Sequence, residues 1–287
     1  MFASTPNSTN ARNITSMIPI SGDMGKILFG IVMVIAVYLV CMFVELIYNY
    51  VQRLYISRTE LMPNTYMMDA KSITITQNPM ITGSKPIHVS ENERSGIEFS
   101  YSFYLNVSPS AFTQHAGLCH IFHKGYPSQF PLMGPGVYMH SNDNTMRVYM
   151  NTYQTWNHYV EIPNIPIGKW VHVALVCTQQ AMEIYINGNL SKKSSFEGYA
   201  PYQNYQDIQC FSQLHKTYTK TMVSSADENG LEIQGAMKGM LSRLLYFNYA
   251  LSYSEIQTLM NEGPSTVMDS ATAGEVPPYL ADNWWTQ

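Results

Sequence analysis

The stretch "MEIYINGNLSKK", residues 182–193, alternates apolar and polar side chains, breaks at Asn187-Gly188 and then resumes. A two-residue type I′ turn needs positive φ at both central positions, and Asn-Gly tolerates that best. The stretch therefore reads as a β-hairpin. On its first arm Met182, Ile184 and Ile186 fall on one face and Glu183 and Tyr185 on the other, the period-2 pattern of a strand with one covered face. Immediately upstream, "GKWVHVALVCTQQ" puts Trp170, His172, Ala174 and Val176 on one face and Val171, Val173, Leu175 and Cys177 on the other. Both faces are apolar or nearly so, which places this strand in the middle of a packed sandwich and not at its edge.

Outward from this pair, the chain between about residues 70 and 248 shows almost no helical period. Short β-favouring runs follow one another: "KSITIT", "KPIHVS", "IEFSYSFYLNV", "LCHIFHKG", "GVYMHS", "TMRVYM", "HYVEI", "LEIQG" and "MLSRLLYFN". Gly, Pro, Asn and Ser punctuate them, and the sum is a mainly β, two-sheet antiparallel sandwich. One helix closes it. In "ALSYSEIQTLMNEGP", Ser252 is the N-cap, Glu255 completes a capping box, and Leu251 and Ile256 are placed for a hydrophobic staple. Ile256, Leu259 and Met260 form the apolar stripe, Gly263 offers a left-handed C′ position and Pro264 forbids continuation.

These motifs, in this order, resemble the laminin-G-like branch of the concanavalin A-like jelly rolls. The resemblance rests on Trp170, His172 and Ala174, then Tyr185, Asn187 and Gly188, then Asn248, Leu251, Ser252, Glu255 and Ile256, and spans residues 70–263. It implies a jelly-roll fold but leaves open which of the family's activities applies.

The run "ILFGIVMVIAVYLVCMFVELIY", with Ile27 and Tyr48 at its ends, is long enough at about 1.5 Å per residue to cross a hydrocarbon core of about 30 Å. It reads as a single transmembrane helix within residues 25–52. The alternative, a signal peptide, fits less well, because the apolar core is too long for an h-region and no small-residue cleavage site follows. A polar tail (1–24) precedes the helix, a juxtamembrane linker (53–69) follows it, and a Pro- and Trp-containing tail (264–287) ends the chain. Arg12 and Lys26 before the span balance Arg53 and Arg58 after it, so charge does not set the orientation. Charged residues make up only 13% of the chain, about half the usual share, as expected where surface is hidden in lipid or an assembly. Lys and Arg are scattered, which argues against a nucleic-acid partner.

Cys41 lies in the apolar helix, leaving Cys119, Cys177 and Cys210 in the body. An odd number argues against a secreted disulfide framework and for maturation in a reducing compartment. Against this stand Asn-x-Ser/Thr sequons at Asn7, Asn13, Asn106 and Asn189, which matter only in the secretory lumen.

Catalytic chemistry is hard to find. Glycosidases on this fold use paired carboxylates on one strand; the nearest candidates, Glu91 and Glu93 in "ENER", sit in a polar turn. His120 and His123 are three residues apart in a strand and so point to opposite faces unless a bulge intervenes. His172 reads as a buried, hydrogen-bonded histidine. Asp143, in the turn "HSNDNTMRV", is the one candidate Ca²⁺ ligand that the family's rim sites suggest, although a plain Asx-rich turn is the favoured reading; no other cofactor is expected. The loops carry more. Tyr126 and Phe130, Tyr153 and Trp156, and Tyr199, Tyr202 and Tyr205 stand among Asn, Gln and Ser, and Trp284 and Trp285 close the chain. Such residues stack on sugars, form protein hot spots, or simply pack back over the sandwich ends.

The expectation is a non-enzymatic, membrane-anchored structural or interaction protein. In architecture and composition it resembles minor capsid or virion membrane proteins of large icosahedral double-stranded DNA viruses. That resemblance implies a link between an internal membrane and the capsid shell, with the bilayer and other capsid or membrane proteins as partners. The alternative is a cell-surface carbohydrate-binding or adhesion ectodomain of laminin-G/lectin type, with glycans as partners.

Overall fold

The computed structural model describes residues 22–56, 58–90, 96–126, 132–155, 158–218 and 231–269. The chain divides into two units, residues 1–56 and 57–287. In the first, helix α1 (Asp23–Val51) continues into a π-helical turn, Gln52–Ile56. Among the described residues α1 is the one helix long and apolar enough to cross a membrane, and none of its side chains is buried in the protein. A signal sequence near an N-terminus has the same length and composition.

The second unit is a β-sandwich. Its strands are β1 (Thr59–Met67), β2 (Ile73–Ile75), β3 (Phe99–Val107), β4 (Leu118–Lys124), β5 (Gly136–His140), β6 (Met146–Met150) and β7 (His158–Ile162). They continue with β8 (Val171–Cys177), β9 (Ala181–Ile186), β10 (Asn189–Ser195), β11 (Ile208–Cys210), β12 (His215–Tyr218), β13 (Leu231–Ala236) and β14 (Gly239–Phe247), followed by helix α2 (Tyr253–Glu262). One sheet has six strands in the order β1-β14-β3-β8-β9-β10. The other has eight: β12-β13-β4-β5-β6-β7, with β11 alongside β4 and β2 alongside β11. Among the described strands all ladders are antiparallel except β13 on β4. This is the two-sheet sandwich that the alternating runs predict.

The hairpin forms as its turn chemistry requires. Asn187 and Gly188 take φ of 47° and 76°, and β9 pairs with β10 from Ile186↔Asn189 outward. Strand β8 is buried over all seven residues between β3 and β9. Its inner face joins Tyr101, Phe103 and Leu105 of β3 in the core against Phe122, Val137, Met139 and Val148 of the other sheet. Rings interlock there, with Phe103 and Phe122 at 5.3 Å and Tyr101 and Tyr246 at 5.1 Å between centroids. Each such fully buried apolar side chain contributes about 1.5–3 kcal/mol.

Helix α2 explains why the outer face of β8 and β3 is also covered. Ile256 and Leu259 are buried, and the Tyr104 hydroxyl lies 2.7 Å from both Leu259 O and Met260 O and accepts from Gly263 N at 2.9 Å. The capping box is complete: the Ser252 hydroxyl accepts from Glu255 N, and Ser252 N donates to the Glu255 carboxylate. Gly263 does take positive φ, but with ψ of 171°, so the chain leaves the helix extended and not through a left-handed turn.

Three features depart from the expected strand pattern. The segment read as linker holds β1, which lies beside β14 and is also flanked by the chain's last described residues, through Thr65 N to Val267 O (2.9 Å) and Asp269 N to Thr65 O (2.8 Å). "KPIHVS" is no strand; instead the Gln77 side-chain amide bonds Lys85 O and Ile87 N, standing in for a neighbouring strand that Pro86 could not pair with fully. Finally, β11 and β12 are too short for periodicity to reveal.

Candidate functional site: an aromatic rim and cleft

Three loops converge at one end of the eight-stranded sheet. Their described parts are 125–126 and 132–135 between β4 and β5, 151–155 between β6 and β7, and 196–207 between β10 and β11. Backbone hydrogen bonds stitch them together. Tyr153 N donates to Ala200 O at 3.1 Å, Tyr202 N to Asn151 O at 2.8 Å and Asn151 N to Met133 O at 2.8 Å, while the Asn151 side-chain oxygen accepts from Met133 N. Lys124 anchors the bundle from below. It is buried, its ammonium donates to Gln206 O at 2.5 Å, and its carbonyl accepts from Asn204 Nδ2 at 2.9 Å and Gly134 N at 3.0 Å. Burial lowers its pKa to about 8, with the Asp207 carboxylate pulling the other way.

On this scaffold Tyr126, Tyr153, Tyr199 and Tyr205 are exposed, the last at 76%. Tyr202 packs back, its ring edge-on to Tyr153 at 5.4 Å. The sequence-predicted loops are thus brought together, four rings facing solvent and one buttressing. Phe130, Trp156, Trp284 and Trp285 lie outside the described residues, as do Glu91 and Glu93.

Beside the rim, Thr152, Gln154, Thr155, His158, Tyr159, Phe196, Glu197 and Tyr199 line a cleft of about 310 Å³. Phe196 is its buried floor, with the His158 ring edge-on at 5.0 Å and His158 Nε2 3.1 Å from Ser194 Oγ. Burial holds the His158 imidazole below its ordinary pKa, opposed by the nearby Glu197 carboxylate. Neither Glu197 nor Lys124 carries a sequence signal; only the fold assembles them.

The histidine pair corrects the sequence expectation. A register irregularity between His120 and Phe122 brings His120 and His123 onto one side, Nε2 to Nδ1 at 2.7 Å. Ser212 N donates to His120 Nδ1 at 2.9 Å, which fixes the proton of His120 on Nε2, pointing at His123; His123 in turn bonds the backbone of Tyr126. Burial lowers both pKa values, that of His123 to about 4, so the pair is neutral and relays hydrogen bonds from the core to the rim. Among the described residues no three His, Cys, Asp or Glu side chains come together to hold a metal. Asp143 is exposed in the β5–β6 turn, where its Oδ1 accepts from Thr145 N at 2.8 Å. His172 Nε2 meets Ser102 Oγ at 2.9 Å beneath α2, far from the rim in sequence, and its Nδ1 is buried without a partner. All four cysteines are free, and the three in the sandwich are buried.

No curated protein matches the chain. Solved structures with a similar fold include a serotype D botulinum neurotoxin ligand-binding domain in complex with N-acetylneuraminic acid (13% identity, TM-score 0.43), covering 73% of this chain and 43% of the other. Another is the botulinum neurotoxin DC binding domain in complex with rat synaptotagmin II (15% identity, TM-score 0.43), covering 67% of this chain and 40% of the other. The chain therefore spans less than half the length of these proteins. The family model described as the concanavalin A-like lectin/glucanases superfamily, of laminin G type, matches residues 82–257. That match takes in β3 to β14 and the first half of α2, and the chain belongs to this family.

Proposed function

We propose that the protein is a membrane-anchored, non-enzymatic binding module that holds a partner on its tyrosine rim. The observation that carries this reading is the convergence of three loops, tied to one another through backbone bonds, that leave Tyr126, Tyr153, Tyr199 and Tyr205 in solvent. Tyrosines presented on a rigid frame offer contact area at little entropic cost. Helix α1 supplies the anchor, since its length and composition suit a bilayer. The partner we favour is a protein of a shell assembled over a membrane, as in minor capsid proteins of large double-stranded DNA viruses. Buried free thiols at Cys119, Cys177 and Cys210 support assembly in a reducing compartment.

The second reading, a glycan-binding ectodomain, draws on the exposed rings and on Asn189, an exposed sequon position on β10. Cross-linking mass spectrometry on source membranes or particles tests the proposal: cross-links should concentrate on residues near the rim and vanish for a Tyr153→Ala, Tyr199→Ala, Tyr205→Ala triple variant that still folds. Cross-links spread evenly over both sheets, unchanged in the variant, would refute it. Detection in purified virus particles with detergent needed for release favours the shell, whereas a mobility shift on enzymatic deglycosylation favours the ectodomain.

A further inference from the structure

The cleft beside the rim has its own chemistry. Three rings line it: Phe196, Tyr159 and Tyr199. Part of its polar wall is already committed. Thr152 Oγ1 and Thr155 Oγ1 lie 3.1 Å apart, Gln154 N and Thr155 N both donate to Thr152 Oγ1, and His158 Nε2 is engaged with Ser194 Oγ.

One charged group remains. The side chain of Glu197 is exposed, and its residue sits at φ of 53°, a backbone conformation uncommon outside glycine. Two of the neighbouring cations are paired with carboxylates. Arg147, whose guanidinium lies 4.6 Å from the Tyr159 ring centroid, is bound to Glu161, and Lys193 of β10 is paired with Glu183 at 2.7 Å. Lys192 donates to Glu161 O at 3.2 Å. His158 is neutral. Among the described residues the cleft lining thus combines one carboxylate, the rings of Phe196, Tyr159 and Tyr199, and no lysine or arginine side chain.

From this arrangement we infer that the cleft receives the alkylammonium side chain of a lysine presented by a partner protein. Its methylene stem lies on Phe196, and its ammonium is held between the Glu197 carboxylate and the ring of Tyr199. Ring faces attract ammonium groups, and more strongly where water is displaced. A phosphocholine head group carries a phosphate as well, and among the described residues no lysine or arginine side chain lines the cleft to receive it. The inference supplies a chemical class for the partner in the reading above, yet it is tested with a small probe and so stands or falls apart from the rim.

The experiment uses the full chain in a non-ionic detergent. Binding of Nα-acetyl-lysine methylamide and of its uncharged isostere, Nα-acetyl-norleucine methylamide, is followed by NMR shifts of the His158 ring. The lysine probe should bind with Kd on the order of 1 mM, a strength expected of a fragment this size. The norleucine probe should bind at least about tenfold more weakly, and Glu197→Gln should weaken the lysine probe by a similar factor with an unchanged melting temperature. Phosphocholine serves as the third arm. Equal binding of the two amino-acid probes, an unaltered lysine affinity in Glu197→Gln, tighter binding of phosphocholine, or no shift with the lysine probe at about 50 mM each overturns the inference.

Discussion

Two tyrosines three residues apart on β3 should respond in opposite directions to the same substitution. Tyr104 is 6% exposed, and its hydroxyl is the hub for the end of α2, lying 2.7 Å from Leu259 O and from Met260 O and accepting from Gly263 N at 2.9 Å. Tyr104→Phe removes this oxygen but keeps the ring. It strands one amide N–H and the carbonyls that shared the hydroxyl proton. A net hydrogen bond contributes about 1 kcal/mol and a stranded buried partner costs about 1–3 kcal/mol, so the loss should be about 2 kcal/mol. For a domain of about 200 residues this lowers the melting temperature by about 4–8 °C. Tyr101 faces the core at 1% exposure, and its hydroxyl has no hydrogen-bond partner. Tyr101→Phe relieves a buried unsatisfied group and should leave stability unchanged or raise it by about 1 kcal/mol. Thermal and urea unfolding followed by circular dichroism measures both. Equal shifts of the same sign would refute the assignment of the two hydroxyls.

Acid should weaken the sandwich as its buried histidines are forced to take up protons. His123 and His172 have folded-state pKa values of about 4, against an ordinary value of 6.5, because burial disfavours their charged forms. The unfolded chain therefore binds more protons between about pH 6.5 and 4, and stability must fall as pH drops through that window, by up to about 3 kcal/mol per histidine; a urea midpoint that stays flat from pH 7 to 4.5 would contradict this. Gly239 takes φ of 143°, and a Cβ there would stand 2.2 Å from Asn106 O of β3. Gly239→Ala should therefore cost more than the roughly 1 kcal/mol typical of a point mutant, and a melting temperature within a degree of wild type would be inconsistent with the β14–β3 register. Burial raises the pKa of the Cys177 and Cys210 thiols, so iodoacetamide at neutral pH should leave both unmodified until urea unfolds the chain; rapid native labelling at either, read by mass spectrometry, would exclude the core packing described.

What could be read from the residues was what local chemistry decides. Asn187-Gly188, the doubly apolar β8 and the Ser252–Glu255 box each carry their signal within a few positions, and each appears in the structure as expected. Strand β1 was hidden because Pro63 interrupts its pattern, its register slips twice, and its partner β14 lies far downstream. The histidine pair was hidden because one irregularity after His120 shifts every later side chain of β4. Among the loops, composition singled out the tyrosines, yet the bonds that gather them join segments about fifty residues apart, such as Tyr153 N to Ala200 O. Lys124 and Glu197 matter through burial and backbone placement, which no single-sequence pattern encodes.

The surroundings of β1 also decide how the sandwich bears load. Tension passing down the chain from the N-terminal helix reaches the sheet at Arg58, which holds Glu262 at the end of α2 while Arg243 of β14 grips the same carboxylate at 2.9 Å. Beyond it, β1 is bonded on both sides, to β14 and to residues 265–269. A pull from the helix must first break the ion-pair clasp and then open the β1–β14 ladder, and at Thr65 it also meets the two backbone bonds to Val267 and Asp269, so the fold carries extra fastenings near the point where a tether would tug.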